Sequence, residues 1–311
     1  MENLSSLSVK GIGLLGLGTV GSGVVNLVQE RLGDLAEIRL VGVRDVTKKR
    51  SVHINHVTSD LESVVEHPDV DIVIEVMGGI EPAKSLILRA LELGKPVITA
   101  NKQLIATHWD ELVPGHPNLR FEASVMAGVP VMQTIETLAK TNEITGVSGI
   151  INGTTNFMLS AMEERGLGFE EILREAQDLG YAEADPSADV DGFDAAYKLA
   201  IFIGMITGKA PAMSELHVSG IRSMTPEAIR EAKSRGFRLK LIGSWTPGQV
   251  PVVGVQEVPL SNPLAGIMGT TNAVQFLGHA SGPITLSGPG AGGSQTASGI
   301  CGDLVQILNG L

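Results

Sequence analysis

The fold turns on residues 9–32, VKGIGLLGLGTVGSGVVNLVQERL. Val9 to Gly18 is apolar and glycine-rich almost without a break, which predicts a strand covered on both faces. Val20 to Leu32 then places Val24, Leu27, Val28 and Leu32 on one helical face. Between them stands Gly16-Leu17-Gly18-Thr19-Val20-Gly21, a G-x-G-x-x-G. The motif alone is weak, but between a strand and a helix each glycine has a task. Gly16 allows the tight turn, Gly18 lets the backbone approach a pyrophosphate, and Gly21 lets the helix pack on the strand. The helix N-terminus, at Thr19 and Val20, offers unpaired N–H groups to the phosphates.

Outward from this unit, strands and helices alternate. Strands are predicted at 38–43, 70–76 and 97–99, and helices near 61–66 and over 82–93, with Gly94 as the stop. This spacing means βαβ units and a parallel, doubly wound sheet of Rossmann type. The second strand runs into Arg44-Asp45, with Lys48, Lys49 and Arg50 just after. An acidic residue there suits a ribose hydroxyl and an arginine suits a 2′-phosphate. With Arg44 and Lys48 both present, NADP is favoured over NAD.

After about residue 128 the pattern changes. Helices are predicted over 129–141, 156–164, 169–179 and 193–206, a strand over 146–151, and a hairpin over 237–258 about Pro247-Gly248. This is a second, α+β domain over 129–287, for substrate binding and dimerisation. Residues 1–128 and 288–311 form the dinucleotide domain, because Gly288–Gly293 lead into a last amphipathic helix.

Composition sets bounds. The 311 residues suit roughly two domains. A net charge of −11 argues against nucleic-acid binding. No apolar run approaches a membrane span, and the N-terminus has no secretory pattern. The single cysteine, Cys301, can form no internal disulfide, so a cytoplasmic location is expected.

The densest chemical signal is residues 178–198, DLGYAEADPSADVDGFDAAYK. Asp178, Glu183, Asp185, Asp189, Asp191 and Asp194 stand there without a basic residue until Lys198. Asp194 and Lys198, four apart, share a helix face. Lys198 sits against an apolar run to Ile206, where burial opposes its charge and carboxylates favour it. Such an amine suits proton transfer. A solvated acidic loop with a surface ion pair is the plainer alternative.

These blocks together resemble the homoserine dehydrogenase family from end to end: GLGTVG at 16–21, EVMGG at 75–79, TANK at 99–102, EASVMAGVP at 122–130, NGTTN at 152–156, LGYAEADPSADVDGFDAAYKLAI at 179–201 and GPGAGG at 288–293. The resemblance implies NAD(P)-dependent interconversion of L-aspartate 4-semialdehyde and L-homoserine, a step toward threonine, methionine and isoleucine. By it, Lys198 is the proton donor and acceptor, and Lys102 assists. Glu183, Asp189 and Asp194 bind substrate, with Thr154 and Thr155 closing its pocket. Gly180, Gly290, Thr19, Val20, Thr99 and Lys102 lie along the cofactor. A monovalent cation, usually sodium, is held by the Glu122 carboxylate and the carbonyls of Val125, Ala127 and Val129. A homodimer is implied, with hairpin strands joined across a twofold axis. The chain stops at Leu311, so neither an ACT regulatory domain nor a fused kinase is expected. The rivals are another NAD(P)-dependent oxidoreductase of a small hydroxy or semialdehyde amino acid, and a non-catalytic NADPH-binding sensor.

Overall fold

A computed structural model describes residues 9–310. The chain divides into two units, one ending at Pro130 and resuming at Ala291, the other Val131–Gly290. Gly288 to Gly290 therefore go with the second unit, because the strand Gly282–Pro289 runs into them.

The first unit carries β1 (Lys10–Leu15), β2 (Ala36–Gly42), β3 (Val57–Thr58), β4 (Ile72–Glu75), β5 (Val97–Thr99) and β6 (Leu119–Arg120). They pair in the order β3-β2-β1-β4-β5-β6, every pair parallel. This is the Rossmann order, with the reversal beside β1. Five of the six residues of β1 are buried, as a strand covered on both faces must be. The helix after it runs over Thr19–Leu27 and continues as a π-turn over Val28–Leu32. The last helix, Gly293–Leu308, packs on it: a Cβ on Gly23 would come 2.9 Å from Ala297 Cβ, so the close approach requires glycine. Ala297, Ile300 and Leu304 join Ile12, Leu14, Val24, Val28, Ile74 and Ile98 in one core.

The second unit carries β7 (Ile144–Ile150), β8 (His217–Val218), β9 (Phe237–Trp245), β10 (Val252–Pro259), β11 (Thr271–Gly278) and β12 (Gly282–Pro289). Their order is β12-β11-β7-β9-β10-β8, antiparallel except for β8 on β10. The 237–258 hairpin forms as expected, with Gly248 at φ 79° in its turn. The β11–β12 hairpin has no counterpart in the sequence reading; glycine, serine and proline interrupt β12, GPITLSGP, although β11 carries the strand-favouring Thr271, Val274 and Phe276. Helix Gly153–Arg165 starts three residues earlier than its periodicity suggests, because the Asn152 side chain caps it by accepting from Thr155 N–H. Helix Phe193–Thr207 buries ten of its fifteen residues, Asp194 and Lys198 among them. Its Phe202 meets Phe276 of β11 edge to face at 5.6 Å. No helix among the described residues is long and apolar enough to cross a membrane.

Candidate functional site

In the first unit the three motif glycines divide their tasks. Gly16 has φ 104°, and a Cβ there would strike the Val76 carbonyl at 2.8 Å. A Cβ on Gly21 would lie 2.3 Å from the Gly16 carbonyl, so helix and turn are in contact. Above Gly18, the cap of helix Thr19–Leu27, nothing stands within 4 Å. An open backbone at a helix N-terminus is the cradle a pyrophosphate needs. The residues present fit a dinucleotide.

Beside it, Glu75 at the end of β4 is fully buried and accepts from Met77 N–H, Gly78 N–H and the Thr99 hydroxyl, the last at 2.6 Å. Thr99 in turn accepts from Asn101 N–H, and Asn101 caps helix Lys102–Thr107 while donating to the Gly79 carbonyl. Thr99, expected along a cofactor, is thus itself buried and ties the EVMGG and TANK loops together. Lys102, half-buried, is the first residue of that helix.

At the end of β2, Arg44 and Lys48 are exposed. Asp45 is turned inward on its own loop: Oδ1 accepts from Thr47 N–H at 2.8 Å and Thr47 Oγ1 at 2.7 Å. Those bonds hold its carboxyl below the usual range. Arg50 donates to the carbonyls of Asp45 and Lys48 and so fixes the turn.

The segment Glu122–Val129 is buried at Glu122, Val125, Ala127 and Val129. Glu122 N–H donates to Asp303 Oδ2 of the last helix. Met126 and Ala127 have φ of 55° and 53°, a left-handed pair unusual for non-glycine residues. A Cβ on Gly299 would lie 2.3 Å from the Ala127 carbonyl, so the last helix supports the turn. Carboxylate and carbonyl oxygens are the donor chemistry a hard cation takes, and two buried carboxylates, Glu122 and Asp303, stand at this turn. No cluster of three or more His, Cys, Asp or Glu side chains able to hold a metal occurs among the described residues.

In the second unit two residues of the acidic block, Asp194 and Asp189, gather at Lys198, while Asp191 pairs with Arg222. Helix Phe169–Asp178 ends at Gly180, φ 75°, with Gly180 N–H on the Gln177 carbonyl and Tyr181 N–H on the Ala176 carbonyl. This end delivers Tyr181, whose carbonyl accepts the Thr154 hydroxyl at 2.7 Å. Lys198 Nζ donates to Asp194 Oδ2 at 2.7 Å and to the Ile151 carbonyl at 2.8 Å, and both side chains are buried. Asn152 Nδ2 reaches Asp194 Oδ2 at 2.8 Å and Asp189 Oδ1 at 2.6 Å. Burial and the neighbouring Asp194 push the Asp189 carboxyl up.

The structure therefore brings Lys198, Asp194 and Asp189 together. Thr154 lies beside them. Thr155 is almost fully buried and gives its hydroxyl to Asn152. Glu183 is exposed on the loop before helix Ser187–Val190. Gly290 follows β12, and a Cβ there would overlap the Asn272 carboxamide at 2.1 Å. Asn152, Glu75 and Asn272 escaped the sequence reading. The signal for Asn152 was present, since an Asn before Gly-Thr-Thr at a helix start is a cap. Cys301 is buried in the last helix, and burial pushes its thiol up to about 11, as suits an inert packing residue.

Comparisons with known proteins agree with this geometry. The family model described as homoserine dehydrogenase matches residues 130–305, and the homoserine dehydrogenase NAD-binding domain matches residues 16–118. The homoserine dehydrogenase of Bacillus subtilis is 40% identical over 96% of this chain and 73% of its own. The crystal structure of a homoserine dehydrogenase from Thiobacillus denitrificans superposes with a TM-score of 0.92 at 36% identity, covering 97% of this chain and 73% of that one. A hyperthermophilic archaeal homoserine dehydrogenase mutant in complex with NADPH gives 0.83 at 26% identity, covering 98% and 99%. With both halves of its sequence matched and its two sheets superposing on solved members, the chain belongs to the homoserine dehydrogenase family.

Proposed function

We propose that the chain interconverts L-homoserine and L-aspartate 4-semialdehyde with NADP(H), and that Lys198 gives and takes the proton at the substrate oxygen. The observation that carries this reading is the buried Lys198–Asp194 pair. In the reducing direction the aldehyde carbon gains a hydride and its oxygen a proton. The bound dinucleotide supplies the hydride. The Lys198 ammonium supplies the proton and stabilises the alkoxide as it forms. In the oxidising direction the neutral amine takes the hydroxyl proton. Asp194 and the Ile151 carbonyl hold the amine still through both. Help of this kind is worth about 10²–10⁴ in rate.

Asp189 and Asp194 outnumber Lys198 by one charge when ionised, and the exposed Glu183 adds another. That excess suits a substrate ammonium. Lys102 would assist from the start of its helix, with Thr154 closing the pocket. Gly16, Gly18, Thr19, Val20 and Gly21 would hold the pyrophosphate, with Lys102, Gly180 and Gly290 along the rest of the cofactor and the buried Thr99 fixing the loops behind it. Arg44 and Lys48 stand exposed just past the end of β2, while the Asp45 carboxylate is engaged by Thr47; an arginine there suits a 2′-phosphate, which favours NADP over NAD. Glu122, with the carbonyls of Val125, Ala127 and Val129, would hold sodium as a structural ion; equal melting temperatures in sodium and tetramethylammonium chloride would refute it. The chain would form a homodimer; the hairpin β9–β10, expected to join sheets across the twofold axis, has β9 inside its own sheet and β10 between β9 and β8, so the free edge for such pairing is β12 instead, and sedimentation as a monomer would contradict the dimer.

The deciding experiment follows absorbance at 340 nm with L-homoserine and each cofactor. Turnover that is faster with NADP at low cofactor concentration is expected. No turnover with either cofactor, despite tight NADPH binding, would make the protein a sensor instead.

A further inference from the structure

Asn152 uses every polar atom of its side chain, and only one of its tasks is structural. Its Oδ1 caps helix Gly153–Arg165 through Thr155 N–H at 2.8 Å and accepts the Thr155 hydroxyl at 2.8 Å. Its Nδ2 faces away from the helix and meets two carboxylates, Asp189 at 2.6 Å and Asp194 at 2.8 Å. Asn152 is 4% exposed and its bond to Asp194 is buried, while the bond to the half-buried Asp189 is partly so. Asp194 Oδ2 is at the same time the acceptor of the Lys198 ammonium.

We propose that Asn152 is a positioning residue: its two N–H groups tie Asp189 and Asp194 into one fixed acidic pair, which in turn fixes the Lys198 ammonium. The proposal rests on the reading of Lys198 as the acid–base group.

The chemistry selects asparagine. Two carboxylates drawn together in a buried place repel each other. An amide placed between them gives a proton to each without adding charge. An aspartate at 152 would cap the helix equally well but has no proton to give when ionised. A serine would cap and give one. The groups that act on Asp189 are Asp194 on helix Phe193–Thr207, which raises its pKa, and Lys198 on the same helix with Asn152 and Thr154 on helix Gly153–Arg165, which lower it. Asn152 is thus a neutral brake on the repulsion between the two aspartates. Without it Asp189 either keeps a proton or swings out, and Asp194 loses one of the bonds that aim it at Lys198.

The test compares the full-length protein with Asn152→Asp and Asn152→Ser. It measures kcat and KM for L-homoserine across pH, NADPH affinity by fluorescence, melting temperature, and the carboxyl ¹³C titration of Asp189, assigned with Asp189→Asn. Asn152→Asp should keep its NADPH affinity, while a third buried carboxylate lowers its melting temperature; Asn152→Ser adds no charge and should keep both. Its kcat/KM should fall about 100-fold, the loss of two charge-assisted hydrogen bonds. The acid limb of its pH profile and the Asp189 titration should both move to higher pH. Asn152→Ser should lie between, with about a tenfold loss. Wild-type kcat/KM and an unmoved Asp189 titration in Asn152→Asp would overturn the proposal and leave Asn152 a cap only. If the unaltered protein does not oxidise homoserine, the reading of Lys198 fails by itself, and the Asp189 titration still decides what Asn152 does.

Discussion

Two lysines are buried in the second unit, and they differ in what surrounds them. Lys198 is paired with Asp194, with Asp189 one amide further on. Lys240, in the middle of β9, donates to the Asn156 carboxamide at 2.8 Å, the Ile267 carbonyl at 2.5 Å and the Met268 sulfur at 3.5 Å. These three acceptors are all neutral. Burial first, and Arg238 second, push its amine down to about 8. One helix serves both lysines: Asn152 reaches the aspartates beside Lys198, and Asn156, one turn later, accepts from Lys240. Burial alone therefore does not mark a functional lysine. Lys240 is held by as many acceptors as a cation needs. Beside Lys198 stand two carboxylates, Asp194 and Asp189, and under the proposed function that pair would suit the substrate ammonium.

The contrast breaks most visibly at Asp194. Asp194→Ala would leave the Lys198 ammonium buried without its carboxylate, at a cost of about 3–5 kcal/mol in unfolding free energy. Turnover of L-homoserine should fall with it. Urea titration and the 340 nm assay on one preparation check both, and wild-type stability would mean that the pair is solvated after all.

Lys240→Met should cost less, about 1–3 kcal/mol, because it leaves the Asn156 and Ile267 oxygens without their donor. The kcat should stay within a few-fold of wild type, since no substrate group is proposed there. The pH dependence has a definite sign. The folded pKa of Lys240 lies below its unfolded value, so the charge opposes folding at and below pH 8. That penalty disappears as pH rises from about 8 toward the unfolded pKa of about 10.4. Wild type should therefore gain stability over Lys240→Met across this range, a gain read from melting temperatures of the two proteins. A gap that stays constant with pH would contradict the depressed pKa.

The smallest effect sharpens the comparison. Asn156→Asp would set a carboxylate beside Lys240, as Asp194 stands beside Lys198. It should bring the Lys240 pKa back up and flatten the rise in stability between pH 8 and 10, while loss of the Asn156 N–H bonds to the Ile267 and Thr271 carbonyls lowers the absolute stability. A slope like that of wild type would show that the carboxylate does not reach the amine.

Much of this was legible before any coordinates. The glycine motif between strand and helix, and the alternation that follows, are local patterns, and they lead directly to the β3-β2-β1-β4-β5-β6 sheet. Asp194 and Lys198 meet because four residues make about one helical turn. What stayed hidden depends on partners far away in sequence. Glu75 binds Thr99 across two strands, Asn152 binds Asp189 and Asp194 across some forty residues, and Lys240 becomes neutral-walled only when Ile267 and Met268 fold over it. The strands Thr271–Gly278 and Gly282–Pro289 were missed for another reason: Val274, Phe276 and Ile284 favour strand but stand among glycine, serine and proline, and pairing of β11 with β7 and of β12 with β11 decides them.

The central claim is that the Lys198 amine handles the proton at the reacting oxygen. The most direct measurement is kcat for L-homoserine oxidation by Lys198→Ala, beside the NADPH dissociation constant of the same preparation. The account predicts a fall in kcat of about 10²–10⁴ with cofactor affinity nearly unchanged. A kcat equal to that of the unaltered protein would contradict it.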